Sequence, residues 1–502
     1  MARANQRSCT RCHRDLPTCS CGGVGPARRS ARLCRGRDPG GADRISALPD
    51  DLLLQILNRL GCAAAAARTG LLSRRWRGLW TRLPDLVLRE MNPGSLHAAL
   101  ARLVAAFELE PRARPRLLNI RAPSYRMFSP AQIASLLNAA AMLQPENLTI
   151  AVAAAVLVML PSLDGTRSMT LDVQGVSLIT PQFGDMPDLE SLSLHRYDAV
   201  PFSLLRRCSA LRSLSISYWR LDSITIDLPL LEELVLSATA QLRRVVIKAP
   251  RLKKLTFGAI EGVLDDFSLC YMASEVEHLS WQCASGASHV HFGDIWSLMT
   301  VTMKTSEPQG QLQRCPTSNT LSLNIFEWQF DQEEGAALSF DFEHYISSCC
   351  PIANISALEL CINSSGHVYG VLVLHLLEVY TLIKRLKVDL CKFQERRECS
   401  ANCPCIQLNN WSNQTVSLTH LKEMEIKGVR GEDHEIDILK VILRSAARLE
   451  RVTITFKTKS KQHIRHFSNK LQRILKAHPY VKCGIYRCSG STAVNFDGAK
   501  TA

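Results

Sequence analysis

The sequence predicts an α/β protein: a short three-helix module near the N-terminus, then an irregular array of repeats, then a C-terminal α/β region. Three observations carry that prediction. An apolar stripe at helical spacing runs from Leu52 to Leu60. From about Leu171 a Leu-x-x-Leu-x-Leu pattern returns every 20 to 24 residues. Beyond residue 420 the apolar period alternates between that of a strand and that of a helix.

Composition narrows the function classes. The 502 residues, 46% hydrophobic and 21% charged, suffice for two to four domains at roughly 100–200 residues each. The longest uncharged apolar stretch, Leu148–Leu160, has thirteen residues. A membrane-spanning helix needs about 20, so this stretch is expected in the core and no membrane partner is expected. The net charge of +14 is uneven: residues 1–44 carry +7, residues 415–485 carry +8, and the remainder sums to about −1. Basic ends on a neutral body argue only weakly for a nucleic-acid partner, because a nucleic-acid binder normally carries its basic stripe on the folded body. The nineteen cysteines follow a polar, Arg-rich start, Met1–Cys12, without an apolar signal segment. They are read as reduced thiols, with nucleus or cytoplasm as the expected location.

The elements follow in order. Residues 1–42, rich in Gly, Arg, Pro, Ser and Cys, are read as a disordered basic tail. Cys9, Cys12, Cys19 and Cys21 in this tail have no flanking strands or apolar residues to fold around an ion. Residues 43–88 form the helical module. Pro49 opens its first helix, Asp50 and Asp51 complement the positive dipole end, and Gly61 stops it. Leu52, Leu53, Ile56, Leu57 and Leu60 make one apolar stripe. Cys62–Arg68 is a short Ala-rich helix. Ser73 caps a third, in which Trp76, Leu79 and Trp80 share a face. Three helices of this length cannot cover that stripe themselves, so it needs a partner.

The repeats read as Leu189-Leu192-Leu194, Leu211-Leu214-Ile216, Leu231-Leu234-Leu236, Leu252-Leu255-Phe257 and Val276-Leu279-Trp281. Their period is that of leucine-rich repeats, each unit laying one short strand on a parallel sheet. Weaker copies at Leu221-Ile224-Ile226 and Leu242-Val245-Ile247 predict that some units return through a second extended segment. The Asn that usually follows the strand is replaced by Tyr197 in one unit and Trp219 in the next, so turn backbones need other partners. Further copies at Ile355-Leu358-Leu360 and Leu421-Met424-Ile426 extend the array, with an acidic, aromatic insertion near Phe326–Glu343. The last region, 399–485, reads as strand, loop, helix, strand and a second helix with Ile464, Phe467, Leu471 and Ile474 on one face.

Two stretches carry a family resemblance. Asp43-Arg44-Ile45-Ser46-Ala47-Leu48-Pro49-Asp50-Asp51-Leu52-Leu53, followed by Leu71-Leu72-Ser73-Arg74-Arg75-Trp76-Arg77-Gly78-Leu79-Trp80, resembles the F-box of plant F-box proteins. The linker Gly61–Ala67 departs from it, lacking the family's usual Pro and acidic residue. Cys399-x-x-x-Cys403-Pro404-Cys405, Asn410-Trp411, Leu421–Gly428, Gly431, Glu435 and Leu439–Leu449 are similar to the FBD region that follows leucine-rich repeats in such proteins. The implied organisation is a three-helix F-box over 43–88, an irregular leucine-rich-repeat solenoid over 89–398, an α/β FBD region over 399–485, and a flexible tail over 486–502. The resemblance implies a non-enzymatic substrate-recognition subunit of a Skp–cullin–F-box ubiquitin ligase. Leu48, Pro49, Leu52, Ile56 and Leu60 would contact a Skp-family adaptor and, through it, a cullin. Trp76, Leu79 and Trp80 would hold the F-box together, and the repeats would bind an unidentified target protein. The alternative is a nucleic-acid-associated or scaffold regulator acting outside protein degradation.

Direct chemical signals are sparse. Cys391, Cys399, Cys403 and Cys405 lack the C-x2-C spacing and adjacent histidines of a zinc site and are read as structural or incidental thiols, so no metal or cofactor is expected. No nucleophile elbow, phosphate loop, dinucleotide fingerprint or zinc-protease motif occurs. The basic run Arg451–Lys476 is read as a solvated helix face. Tyr197, Tyr218, Trp219 and Trp281, at strand ends, are candidate target-binding anchors, and packing beneath neighbouring repeats is an equal reading for each.

Overall fold

A computed structural model describes residues 48–109, 114–123, 125–179, 186–196, 202–273, 275–285, 290–293, 295–306, 318–327, 340–350, 354–364, 366–390, 403, 405, 411–457, 461–489 and 492–495. The N-terminal tail with Cys9, Cys12, Cys19 and Cys21, together with Tyr197, Cys391, Cys399 and residues 328–339 of the insertion, lies outside these. The chain divides into two compact units, Met1–Leu52 and Leu53–Ala502.

Helix α1 (Asp50–Asn58) begins after Pro49, whose carbonyl accepts the Leu52 amide at 3.1 Å. Asp50 and Asp51 occupy its first turn. Helix α2 (Ala63–Thr69) is the Ala-rich segment. The expected third helix is instead two 3-10 turns, Arg74–Trp76 and Leu79–Arg82. Ser73 caps the first, accepting the Arg75 amide at 3.3 Å. Between them Arg77 is extended and Gly78 sits at φ 83°, a left-handed conformation that an α-helix cannot continue through. Trp76, Leu79 and Trp80 nonetheless all turn inward and are buried.

The rest is dominated by a largely parallel 19-stranded sheet. It opens with β1 (Asp85–Arg89), β2 (Leu117–Arg121), β3 (Asn147–Met159) and β4 (Ser168–Ile179), paired parallel in sequence order. Helices α3 (Pro93–Leu109) and α4 (Pro130–Leu143) form the first two crossovers and pack on each other. Next come β5 (Ser191–His195) and β6 (Ser213–Trp219), with the short α5 (Phe202–Leu205) between them. Beyond β6 the chain alternates between two sheets. Strands β8 (Glu233–Ala238), β10 (Lys254–Ala259) and β12 (His278–Ala284) continue the main one. Strands β7 (Ser223–Asp227), β9 (Leu242–Lys248) and β11 (Val263–Met272) form a second parallel sheet from the weaker repeat copies.

Among the described strands, direction reverses at β14 (Trp296–Ser306) and again at the closing β22 (Thr492–Asn495). β13 (Val290–Phe292) and β14 form a hairpin, and β14 lies antiparallel to both β12 and β15 (Ser318–Glu327). The two-residue β16 (Phe340–Asp341) pairs with β13 and leads into α6 (Phe342–Cys349). Parallel pairing resumes with β17 (Ala357–Asn363), and α7 (Gly370–Val379) carries the chain to β18 (Arg385–Leu390). The C-terminal part supplies β19 (Glu423–Val429), α8 (Asp433–Ser445), β20 (Arg451–Phe456), α9 (Lys461–Leu475) and β21 (Lys482–Ser489), closed by antiparallel β22 (Thr492–Asn495).

Register explains the repeat pattern. Leu88, Ile120, Ile150, Leu171, Leu194, Ile216, Leu236, Phe257, Trp281, Met303, Leu321, Leu358, Leu386, Met424 and Val452 lie strand-to-strand in one row, and all are buried. With a side-chain period of two, the second and last apolar residues of each pattern face the same side. The row passes through the last place as far as Trp281 and through the second at Leu358 and Met424. The row starts at Leu88, well ahead of the point where the pattern becomes readable. The first four strands begin at residues 85, 117, 147 and 168, and the two helical crossovers space the first three wider than the repeat period.

Candidate functional site

The stripe on α1 resolves into two sides. Leu53 and Leu57 are buried, while Leu52, Ile56 and Leu60 remain 42%, 40% and 45% exposed. Leu48 is half-buried and Pro49 exposed. Leu71 and Leu72, ahead of the 3-10 turns, are also exposed. Within the second unit, Ile56, Leu60, Leu71 and Leu72 thus leave large aliphatic side chains facing water. The end of α1 is tethered to the sheet through Asp85. That carboxylate accepts the Arg116 guanidinium (Nε at 2.8 Å) and a hydrogen bond from the Asn58 side chain, and the Arg116 bond foremost holds its pKa below the ordinary aspartate value.

Beside the middle of β4 and the C-terminal ends of β5, β6, β8 and β10 lies a cleft of about 1210 Å³, lined by Asp172, His195, Arg196, Tyr218, Arg220 and Glu261 among others. Arg196 forks onto Asp172, with Nε–Oδ1 and Nη2–Oδ2 both 2.7 Å. Arg196 and Tyr218 occupy equivalent places in adjacent units, each following a paired residue, His195 or Ser217. Both adopt left-handed backbone, at φ 59° and 60°. Such conformations are uncommon outside glycine and cluster at binding sites.

Tyr218 is the exposed one among the described strand-end aromatics, at 56%. It forms a bulge, because the β6–β8 register jumps from Ser217 to Trp219. One extra residue reverses the alternation, so Tyr218 points outward and Trp219 inward. Trp219 is therefore fully buried and offers no contact area, which corrects its reading as a target-binding anchor. Its carbonyl is satisfied by the Thr239 amide at 2.9 Å and hydroxyl at 3.0 Å, the substitute for the missing Asn. Trp281 is corrected likewise: it occupies the inward last place of its pattern, wholly buried, its ring stacked on Phe257 at 3.8 Å and 14°. Sequence reasoning passed over Asp172 and Arg196. The available signal was that Arg196 aligns with Tyr218 when the two repeats are superposed.

A second cluster brings together residues that sequence spacing had kept apart. His367, in the loop between β17 and α7, places Nδ1 3.2 Å from the Cys403 sulfur and 3.5 Å from that of Cys405. Its Nε2 meets Glu327 Oε1, at the end of β15, at 2.9 Å. Both cysteines are buried. The histidine that the Cys403-x-Cys405 pair lacks in sequence is thus supplied by the fold. Cys391 and Cys399 lie outside the described residues.

In the C-terminal region Gly428 interrupts β19 at φ 83°, where a Cβ would come within 2.6 Å of the Leu390 carbonyl oxygen, so a side chain is excluded. Glu435 is buried at the start of α8 and accepts the amides of Arg430, Gly431 and Glu432 at 2.7–3.2 Å. Burial raises its pKa against the pull of those donors. On α9, Ile464, Phe467 and Leu471 are buried while Lys470 pairs with Asp433, in line with a solvated basic face. Among the described residues no helix is long and apolar enough to cross a membrane.

The F-box domain family matches residues 45–90 and the FBD family residues 417–454. An FBD-associated F-box protein of Arabidopsis thaliana is 28% identical over 249 residues, 47% of this chain and 58% of the relative. An F-box/FBD/LRR-repeat protein of the same plant is 64% identical over 44 residues, 9% of this chain and 10% of its own. Another F-box/FBD/LRR-repeat protein of that plant is 28% identical over 318 residues, 53% and 75% of the two chains. The chain thus spans little more than half of the first of these relatives and a tenth of the second. No solved structure matches. The chain is a mixed α/β protein with an N-terminal F-box and a C-terminal FBD domain, and its homologues are the Arabidopsis F-box/FBD/LRR-repeat proteins.

Proposed function

We propose that the chain is a non-catalytic substrate-recognition subunit of a Skp–cullin–F-box ubiquitin ligase, its repeats forming an irregular solenoid that holds the target. The observation that carries the reading is the division of α1: Leu53 and Leu57 serve the fold, whereas Ile56 and Leu60 are left outward. Leu52 is likewise exposed in the first unit. These are residues at which the F-box resemblance predicts adaptor contacts, together with Leu48 and Pro49. The target side is the strand-end cleft, where Tyr218 offers apolar area and the Asp172–Arg196 fork offers a fixed polar pattern. The receptor itself needs no acid, base or nucleophile. Holding the target beside a ubiquitin thioester on another protein raises the effective concentration of the reacting groups. Nucleus or cytoplasm is the proposed location, on the reading of the cysteines as thiols of a reducing compartment.

The test is crosslinking capture by the full chain, with Tyr218→Ala and Arg196→Ala compared with the wild type. Tyr218 is exposed, so its truncation should change stability by less than about 0.5 kcal/mol. Adaptor capture is expected to persist while capture of the target falls. A target set unchanged by both substitutions would remove the cleft from the account. Stabilisation of the captured target by proteasome inhibition supports the ligase reading. A target whose half-life ignores the inhibitor points instead to a scaffold.

A further inference from the structure

We propose that His367, Cys403 and Cys405 bind a zinc ion that fastens the repeat region to the stretch leading into the FBD domain. The three donor atoms lie within 4.8 Å of one another although the cysteines are 36 and 38 residues from the histidine. A tetrahedral zinc, with Zn–N about 2.0–2.1 Å and Zn–S about 2.3 Å, separates nitrogen from sulfur by about 3.6 Å. The observed 3.2 and 3.5 Å need only a slight opening to admit the ion.

The donor chemistry agrees with the geometry. Two sulfurs and one imidazole are a soft set that selects zinc over magnesium or calcium. Glu327 accepts a hydrogen bond from His367 Nε2 at 2.9 Å, which puts the ring proton on Nε2 and turns the Nδ1 lone pair towards the sulfurs. A carboxylate behind the histidine in this way is the usual outer support of a zinc ligand. The side chains of His367 and Glu327 are only 17% and 14% exposed, and the Trp296 ring stands edge-on to the imidazole at 6.5 Å. Just beyond, the Trp411 ring packs on Gly370, where even a Cβ would meet it at 2.6 Å, so the histidine loop is held closely. Binding ionises both thiols and releases their two protons to solvent, the fourth position of the tetrahedron being filled by water or one more donor.

The experiment uses the full chain, stripped with a chelator under reducing conditions and titrated with zinc and then cobalt. One equivalent of zinc is expected per chain, with a thiolate-to-cobalt charge-transfer band, and Cys403 and Cys405 should resist alkylation only when metal is present. Cys403→Ser with Cys405→Ser, and separately His367→Ala, should each lose that equivalent, whereas serine at Cys9, Cys12, Cys19 and Cys21 should keep it. Glu327→Gln, which retains all three ligands, should weaken zinc binding by about 10- to 100-fold. Should a ligand variant fail to fold, the alkylation map of the wild-type chain and the Glu327→Gln affinity decide. No stoichiometric zinc, alkylation of both cysteines regardless of zinc, or a Cys403–Cys405 disulfide that persists with zinc under reducing conditions overturns the proposal.

Discussion

Ile56→Asp is expected to abolish capture of a Skp-family adaptor while leaving the thermal unfolding of the chain unchanged. Ile56 is 40% exposed on a helix whose inward side is made by Leu53 and Leu57, so a carboxylate there meets water in the free protein and an apolar partner in the complex. Truncation to alanine is the milder test. Losing an interface anchor costs about 2–4 kcal/mol, which is roughly a 30- to 700-fold weaker dissociation constant. Leu60→Asp should behave in the same way. Leu57→Asp is the contrasting substitution: it buries a charge in the core, so it lowers the unfolding midpoint as well as adaptor binding. Calorimetric titration beside a thermal scan separates the two kinds of loss. An Ile56→Asp chain that binds as tightly as the wild type would place adaptor docking elsewhere.

Trp281→Ala is expected to give the largest loss of stability of any single truncation in the repeats, about 3–5 kcal/mol. The indole lies in the continuous buried row between Phe257 and Met303, stacked on the former at 3.8 Å. Its removal leaves a cavity that neither neighbouring strand can close without leaving its register. Repeat units draw much of their stability from the next unit, so the effect should spread to β10 and β14 and appear there as faster amide exchange. Tyr218→Ala, a truncation of similar size on the outer side, is the control. Equal urea midpoints for the two variants would contradict the inward placement of Trp281.

Some of this was legible in sequence and some was not, for physical reasons. The buried row was readable because Leu194, Ile216, Leu236 and Phe257 recur at a fixed interval and a two-residue side-chain period leaves them one direction. Trp281 stands at the last position of its pattern, where the same logic favours the inward direction over the reading as a target-binding anchor. Trp219 was different. The bulge at Tyr218 adds a residue that no periodicity announces, and it exchanges the directions of the two aromatics. The third helix failed at Gly78, whose left-handed backbone was outweighed in the reading by the helical spacing of Trp76, Leu79 and Trp80. The strands before Leu171 were hidden because α3 and α4 lengthen their crossovers. On α1 the stripe was found, but its division into an inward pair and an outward row depends on what packs against it. His367 could not be joined to Cys403 and Cys405 at all, because only the sheet brings positions so far apart in sequence together.

The most direct test of the docking account is amide hydrogen exchange on the full chain with and without a saturating Skp-family adaptor. New protection is expected across residues 48–60 and at Leu71–Leu72, with exchange at β5, β6 and β8 unaltered. Protection centred on the strand-end cleft, or none at residues 48–60 despite measured binding, would contradict it.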